Sequence, residues 1–90
     1  MKYRSRTEIA AMILQAVMTG ATKTKIMYKA YLSYTQVKEY LTFLQDSELI
    51  VYEEGTQLYR ISEKGHKFIH SFNEISELVS PMANGKLLNF

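Results

Sequence analysis

Residues 32–44, Leu-Ser-Tyr-Thr-Gln-Val-Lys-Glu-Tyr-Leu-Thr-Phe-Leu, constrain this chain more than any other stretch. Ser33 is placed to cap a helix, because its hydroxyl can accept from an unpaired backbone N–H of the first turn. Gln36, three residues on, completes a capping box, and Leu32 and Val37 hold the two positions of a hydrophobic staple. Val37, Tyr40, Leu41 and Leu44 then recur at the i, i+3, i+4, i+7 spacing of a helix with one buried face. Thr35, Lys38, Glu39 and Thr42 point the other way. That outward set is polar, mixed in charge and able to hydrogen-bond, which suits reading a surface. The apolar face needs neighbours, and the rest of the chain must supply them.

Ser5 and Glu8 repeat the capping-box pattern, so a first helix should start near Arg6. Ile9, Met12, Ile13, Ala16 and Val17 give its apolar face. Ala10 and Leu14 widen that face, which predicts contact with two neighbours. Gly20 is a natural stop. Thr22 or Thr24 can cap a short second helix running to about Ala30, with Ile26, Met27 and Ala30 inward and Lys23, Lys25 and Lys29 outside. Only Tyr31 and Leu32 then separate it from the helix at Ser33. Two helices with so short a joint fit a helix-turn-helix, although the turn carries no glycine.

After Asp46 the pattern changes to strands. Leu49-Ile50-Val51-Tyr52 is apolar and β-prone, Gln57-Leu58-Tyr59-Arg60-Ile61 alternates, and Gly55 lies between them for the turn, which predicts a hairpin. Ser62 can cap a last helix with Glu63 in its first turn. Phe68, Phe72, Ile75 and Val79 form a short heptad-like seam along it, which can pack on the first helix or, the favoured reading, pair with a second copy. Pro81 ends it. The expected fold is α+β and mainly α. It is a winged helix-turn-helix with three helices, a two-stranded β-hairpin as the wing, and a C-terminal helix. The expected organisation is one domain over 1–79, with its dimerisation helix at about 62–79, followed by a flexible tail over 80–90.

Composition narrows the function. Ninety residues allow one small domain, and a hydrophobic content of 47% with 22% charged residues is that of a globular chain. The absence of cysteine rules out disulfides and thiolate metal sites. No signal-type segment opens the chain and no apolar run approaches the roughly 20 residues needed to span a bilayer, so a cytoplasmic protein without membrane contact is expected. The net charge is only +2, but it is unevenly spread. Residues 1–47 carry seven basic and three acidic side chains, a balance of +4, and residues 48–90 carry four and six, a balance of −2. The basic half holds the Ser33 helix. His66 and His70 stand at i, i+4 but read as solvated surface residues, since no glutamate follows His66 as a zinc protease requires. The four glycines are scattered and form no phosphate loop. No catalytic residue is assigned, and an enzyme is not expected.

Met27-Tyr28-Lys29-Ala30, Leu32-Ser33-Tyr34, Tyr40-Leu41, Phe43-Leu44 and Leu49-Ile50, in that order and spacing, resemble a small archaeal family of winged-helix DNA-binding proteins. The segment Tyr59-Arg60-Ile61-Ser62-Glu63-Lys64-Gly65 is similar to that family's exit from the wing into its last helix. The resemblance covers roughly residues 4–79. It implies DNA binding of transcription-factor or chromatin type, a homodimer through the C-terminal helix, and no cofactor. Two departures stand out. Relatives often carry glycine just before the Leu-Ile pair, where this chain has Glu48. Pro81 also cuts short a helix that can be a long coiled coil in the family.

For double-stranded DNA the residues take definite roles. Lys23, Lys25 and Lys29, with Arg4 and Arg6, would meet phosphates. Ser33 begins a helix whose free N–H groups suit another phosphate. Tyr34, Thr35, Gln36 and Lys38 would face base edges in the major groove, with Thr42 farther along the same face. Tyr34 could instead simply cover the core. Glu53 and Glu54 make the wing acidic, so only a weak contact through Thr56, Gln57 and Arg60 is expected. The alternative is a winged-helix module that docks proteins rather than DNA.

Overall fold

The computed structural model describes residues 4–79. The expected tail over 80–90, with Pro81 as the helix stop, lies outside the described residues. The order of elements is α1 (Arg6–Ala16), α2 (Lys23–Ala30), α3 (Tyr34–Asp46), β1 (Ile50–Glu53), β2 (Leu58–Ile61) and α4 (Glu63–Val79). Four helices and one antiparallel hairpin make a winged-helix fold, as the element pattern required.

Three of the helix starts follow from local chemistry. Ser5 and Glu8 form a complete capping box at α1, and Ser33 and Gln36 form another at α3. Thr22, not Thr24, caps α2 by accepting from the Lys25 N–H at 3.2 Å. At the start of α4, the Ser62 hydroxyl accepts from the Gly65 N–H at 3.0 Å and donates to the Glu48 carbonyl at 2.7 Å, tying that helix to the end of α3.

The helix ends depart from expectation. Tyr31 ends α2 in the left-handed region at φ 55°, and Glu48 follows α3 at φ 64°. Each does what glycine usually does after a helix. At α3, the Leu49 N–H reaches the Leu44 carbonyl and the Glu48 N–H reaches the Gln45 carbonyl, both at 2.9 Å. At α2, the Leu32 N–H reaches Met27 and the Tyr31 N–H reaches Tyr28 in the same pattern. The absent glycine of the helix-turn-helix joint is therefore replaced by a tyrosine held in a conformation it does not favour.

The core is built around α1. Ala10, Ala11, Ile13, Leu14 and Val17 are buried, and Ile9, Met12 and Ala16 only partly. The buried stripe is thus rotated from the Ile9–Ala16 line that periodicity suggests, because α1 lies against both α2 and α4. Ile26 and Ala30 of α2, Val37, Tyr40, Leu41 and Leu44 of α3, Ile50 of β1 and Ile69 of α4 close around it.

The hairpin pairs Ile50 with Ile61, Val51 with Arg60, Tyr52 with Tyr59 and Glu53 with Leu58. Its left-handed turn residue is Gln57 at φ 62°, not Gly55. The Gln57 N–H bonds to the Glu53 carbonyl at 2.7 Å, so the loop closes two residues after its glycine. The α1–α2 connection adds a short third edge. Ala21 and Tyr59 exchange both backbone bonds, at 3.0 and 2.8 Å, which fastens β2 to the helical body. Gly20 permits this with φ +89°, and a side chain there would also press on the Arg60 guanidinium.

Helix α4 is 17 residues long, about 26 Å at 1.5 Å per residue, and it outruns the core. Phe68 and Phe72 are half-buried against the helical body with their rings stacked at 6.4 Å. One turn later Ile75 is 59% exposed and Leu78 is 81% exposed. The expected seam is therefore divided: its first half packs on the protein's own core and Ile75 does not. Val79 ends the helix, and its side chain lies outside the described residues.

Candidate nucleic-acid interface

The outward face of α3 is open. Tyr34, Thr35, Gln36, Lys38, Glu39 and Thr42 are all exposed, while Val37, Tyr40, Leu41 and Leu44 are buried. Burial thus divides the helix along the line that its spacing predicts. Ser33 is exposed but committed locally, its hydroxyl accepting from the Gln36 N–H at 3.2 Å. Gln36 returns the bond, its side-chain carbonyl accepting from the Ser33 N–H at 3.0 Å. That leaves the Gln36 amide NH2 as its outward group, and a bidentate approach to adenine would have to share or break the capping bond.

Two lysines meet at the start of this face, and two more are exposed on α2. Lys25 and Lys29 are exposed on α2, and Lys23 is half-buried at its start. The Lys23 and Lys38 ammonium groups each lie 5.3 Å from the centroid of the Tyr34 ring. Among the described residues Arg60 forms an ion pair with Glu53, and His70 Nε2 lies 3.3 Å from the Glu74 carboxylate. None of these lysines is neutralised by a carboxylate.

Both N-terminal arginines have partners within the protein, Arg4 half-buried and Arg6 exposed. The Arg4 guanidinium donates to the Ala30 carbonyl, to the Tyr31 carbonyl at 3.0 Å and to the Met12 sulfur. It sits at the C-terminal end of α2, where the helix dipole favours a cation. Its position beside the start of α1 in sequence had suggested the opposite environment. Arg6 lies over Tyr40 at 5.1 Å and Phe43 at 5.5 Å, shielding two rings of α3. It also lines a cleft of about 230 Å³ with Thr7, Ala10, Phe43, Leu49 and Phe68.

The wing is bound to itself. Arg60 Nε donates to Glu53 at 3.0 Å, and the Thr56 hydroxyl donates to the same carboxylate at 2.6 Å. These two bonds, Thr56 first, hold the Glu53 carboxyl below its ordinary pKa. The acidic wing is thus half-neutralised from within, at the cost of two groups expected to reach outward. Gln57 is exposed and lines a cleft of about 340 Å³ between the wing and the start of α2, with Thr22, Lys23, Thr24, Tyr52 and Tyr59. The Tyr52 and Tyr59 rings meet at 4.8 Å, tilted by 48°, and burial raises the Tyr59 pKa, with a smaller contribution from Tyr52.

Periodicity did not reveal the roles of Arg4, Arg6 and Tyr34, since Arg4 and Arg6 find partners on other helices and Tyr34 meets Lys23 of α2 as well as Lys38 of its own helix. Tyr34 exposes 57% of its surface, so covering the core is not its main use. His66 and His70 are exposed on α4, and among the described residues no group of three His, Cys, Asp or Glu side chains could hold a metal. No helix of the described residues is long and apolar enough to cross a membrane.

The comparisons agree with this architecture. The family model described as winged helix-turn-helix matches residues 3–80. Among solved structures, the chain is similar to the crystal structure of Sso10a-2, a DNA-binding protein from Sulfolobus solfataricus. The TM-score is 0.74 at 24% identity, covering 92% of this chain and 90% of that one. No curated protein matches the chain in sequence.

Proposed function

The chain belongs to the winged helix-turn-helix family, and from that premise we propose that it binds double-stranded DNA with α3 in the major groove. One observation carries the reading. The exposed polar face of α3 carries Lys38 and has Lys23 beside its first residue, with Lys25 and Lys29 exposed on α2, and none of the four is paired with an acid among the described residues. Lysines left this way are suited to displacing counterions from phosphates, the term that supplies most non-specific affinity. Thr35, Thr42 and the Gln36 amide are then the groups placed to meet base edges. The similar Sulfolobus structure is described as a DNA-binding protein, which supports the same reading. Arg4 serves the fold in this account, Arg6 remains exposed beside α3 and available to a phosphate, and the wing contributes little beyond Gln57. The protein acts as a transcriptional regulator or chromatin-type binder in the cytoplasm.

The same reading includes a homodimer through α4. Ile75 and Leu78 are large apolar side chains on a helix that has left its own core, and a second copy of α4 would cover them. Light scattering at micromolar concentration should give twice the 10.5 kDa chain mass, and Ile75→Lys should give the single mass.

Fluorescence anisotropy against a mixed-sequence duplex, from about 50 to 200 mM salt, tests DNA binding. Lys25→Ala and Lys38→Ala should each weaken binding and flatten its salt dependence by about 0.9 in log–log slope per lost phosphate contact. No binding at the lowest salt would instead favour a protein-docking module. The observation on that side is the high exposure of Tyr28 and Tyr31, at 73% and 77%.

A further inference from the structure

Tyr34 is the first residue of α3, and Lys23 is the first residue of α2. Their meeting is a feature of the tertiary fold. Lys38, one turn along α3, approaches the same ring from its own helix. Both ammonium groups are 5.3 Å from one centroid, inside the range of a cation–π contact. A single aromatic ring therefore gathers two like charges to within about one screening length, ~10 Å at 0.1 M salt. Neither helix places an acid in its first turn. Among the described residues no carboxylate pairs with either lysine. Two cations and two positive helix ends, with no carboxylate within ion-pair distance among the described residues, make an arrangement suited to an anion.

We propose that Tyr34 is a positioning residue that holds Lys23 and Lys38 as a two-point clamp on one backbone phosphodiester. This assignment rests on the DNA reading above and deepens it. Tyr34 would then contribute through its ring face and not through its hydroxyl, and it would read no base. The ring lowers the conformational freedom that two long lysine side chains otherwise lose on binding. It also fixes α2 against the start of α3 on the phosphate side. The cleft between α2 and the wing shares Lys23 and is lined beyond it by the polar side chains of Thr22, Thr24 and Gln57.

The test uses the full chain and a mixed-sequence duplex, with the salt slope as readout. Tyr34→Phe keeps the ring and should bind as wild type does, with the same slope. Tyr34→Leu should lower the slope by about 0.9, the value for one phosphate on B-DNA. The double variant Lys23→Ala/Lys38→Ala should lower it by the same amount, not by twice it, and adding Tyr34→Leu should change nothing further. Circular dichroism confirms that each variant is folded. If Tyr34→Phe loses as much as Tyr34→Leu, the hydroxyl makes the contact and the clamp is wrong. A slope unchanged in Tyr34→Leu, or a double-lysine loss near 1.8, also overturns it. If wild type itself fails to bind, the DNA reading falls and takes the clamp with it. That outcome is distinct from a wild type that binds and is indifferent to residue 34.

Discussion

Replacing Glu48 by glycine should make this protein more stable, although it removes a whole side chain. Glu48 follows α3 at φ 64°, where a residue with a Cβ is held against its preference at a cost of about 1–2 kcal/mol. Glycine adopts that conformation freely but loses about 0.5–1 kcal/mol more backbone entropy on folding. The difference favours Glu48→Gly by about 0.5–1 kcal/mol. Everything else at this site belongs to the backbone and survives the change. That includes the Glu48 N–H bond to Gln45 at 2.9 Å, the Leu49 N–H bond to Leu44 at 2.9 Å, and the Ser62 hydroxyl on the Glu48 carbonyl at 2.7 Å. Glu48→Ala is the control, since it removes the carboxylate and keeps the strained Cβ; it should stay within about 0.5 kcal/mol of wild type. In a domain of this size 1 kcal/mol moves Tm by about 4–8 °C. Thermal unfolding followed by circular dichroism, at one fixed protein concentration, should therefore place Glu48→Gly roughly 2–8 °C above both the others. If the glycine variant melts with or below the alanine variant, left-handed strain at Glu48 is not what sets stability here.

Other expectations follow from single contacts. Gly65→Ala should cost about 1–3 kcal/mol by denaturant titration, because a Cβ at Gly65 would overlap the Leu49 carbonyl oxygen and Ile61 Cγ1, where α4 crosses the hairpin. Arg4→Met should cost about 1 kcal/mol, through lost bonds to the α2 carbonyls, and leave the salt slope of DNA binding unchanged. An altered slope would return Arg4 to the interface. Glu53 has a depressed folded pKa, so its bonds to Thr56 and Arg60 contribute above its ordinary value of 4.5 and are lost as pH falls through the lower folded value. An NMR titration should show Glu53 titrating below its ordinary value of 4.5, and Arg60→Gln should move it back up.

Helix identity and face were legible because they depend on neighbours in sequence. Ser33 with Gln36 and Ser5 with Glu8 are three residues apart, and a capping box needs nothing beyond one turn. The split of α3 into a buried Val37-Tyr40-Leu41-Leu44 side and an open Thr35-Lys38-Thr42 side follows from the 3.6-residue period alone. Ends were harder. Tyr31, Glu48 and Gln57 all take left-handed conformations that no propensity would assign to them, because surrounding structure overrides the local preference. The charged residues were hardest of all. Arg4, Arg6 and Arg60 look as available in sequence as Lys25 and Lys29, yet each is drawn to a partner on a different element: a helix end, a pair of rings, a wing carboxylate.

The sequence by itself determined the helices, the hairpin, their order and which side of α3 faces out, since each is encoded within a turn or two of chain. Only the tertiary structure decided which cations remain for a partner, how far the aromatic seam of α4 is used up by the protein's own core, and that one tyrosine gathers lysines from two helices. A long side chain reaches several ångströms in any direction, so its partner depends on which elements the fold brings alongside it, and local sequence carries no record of that.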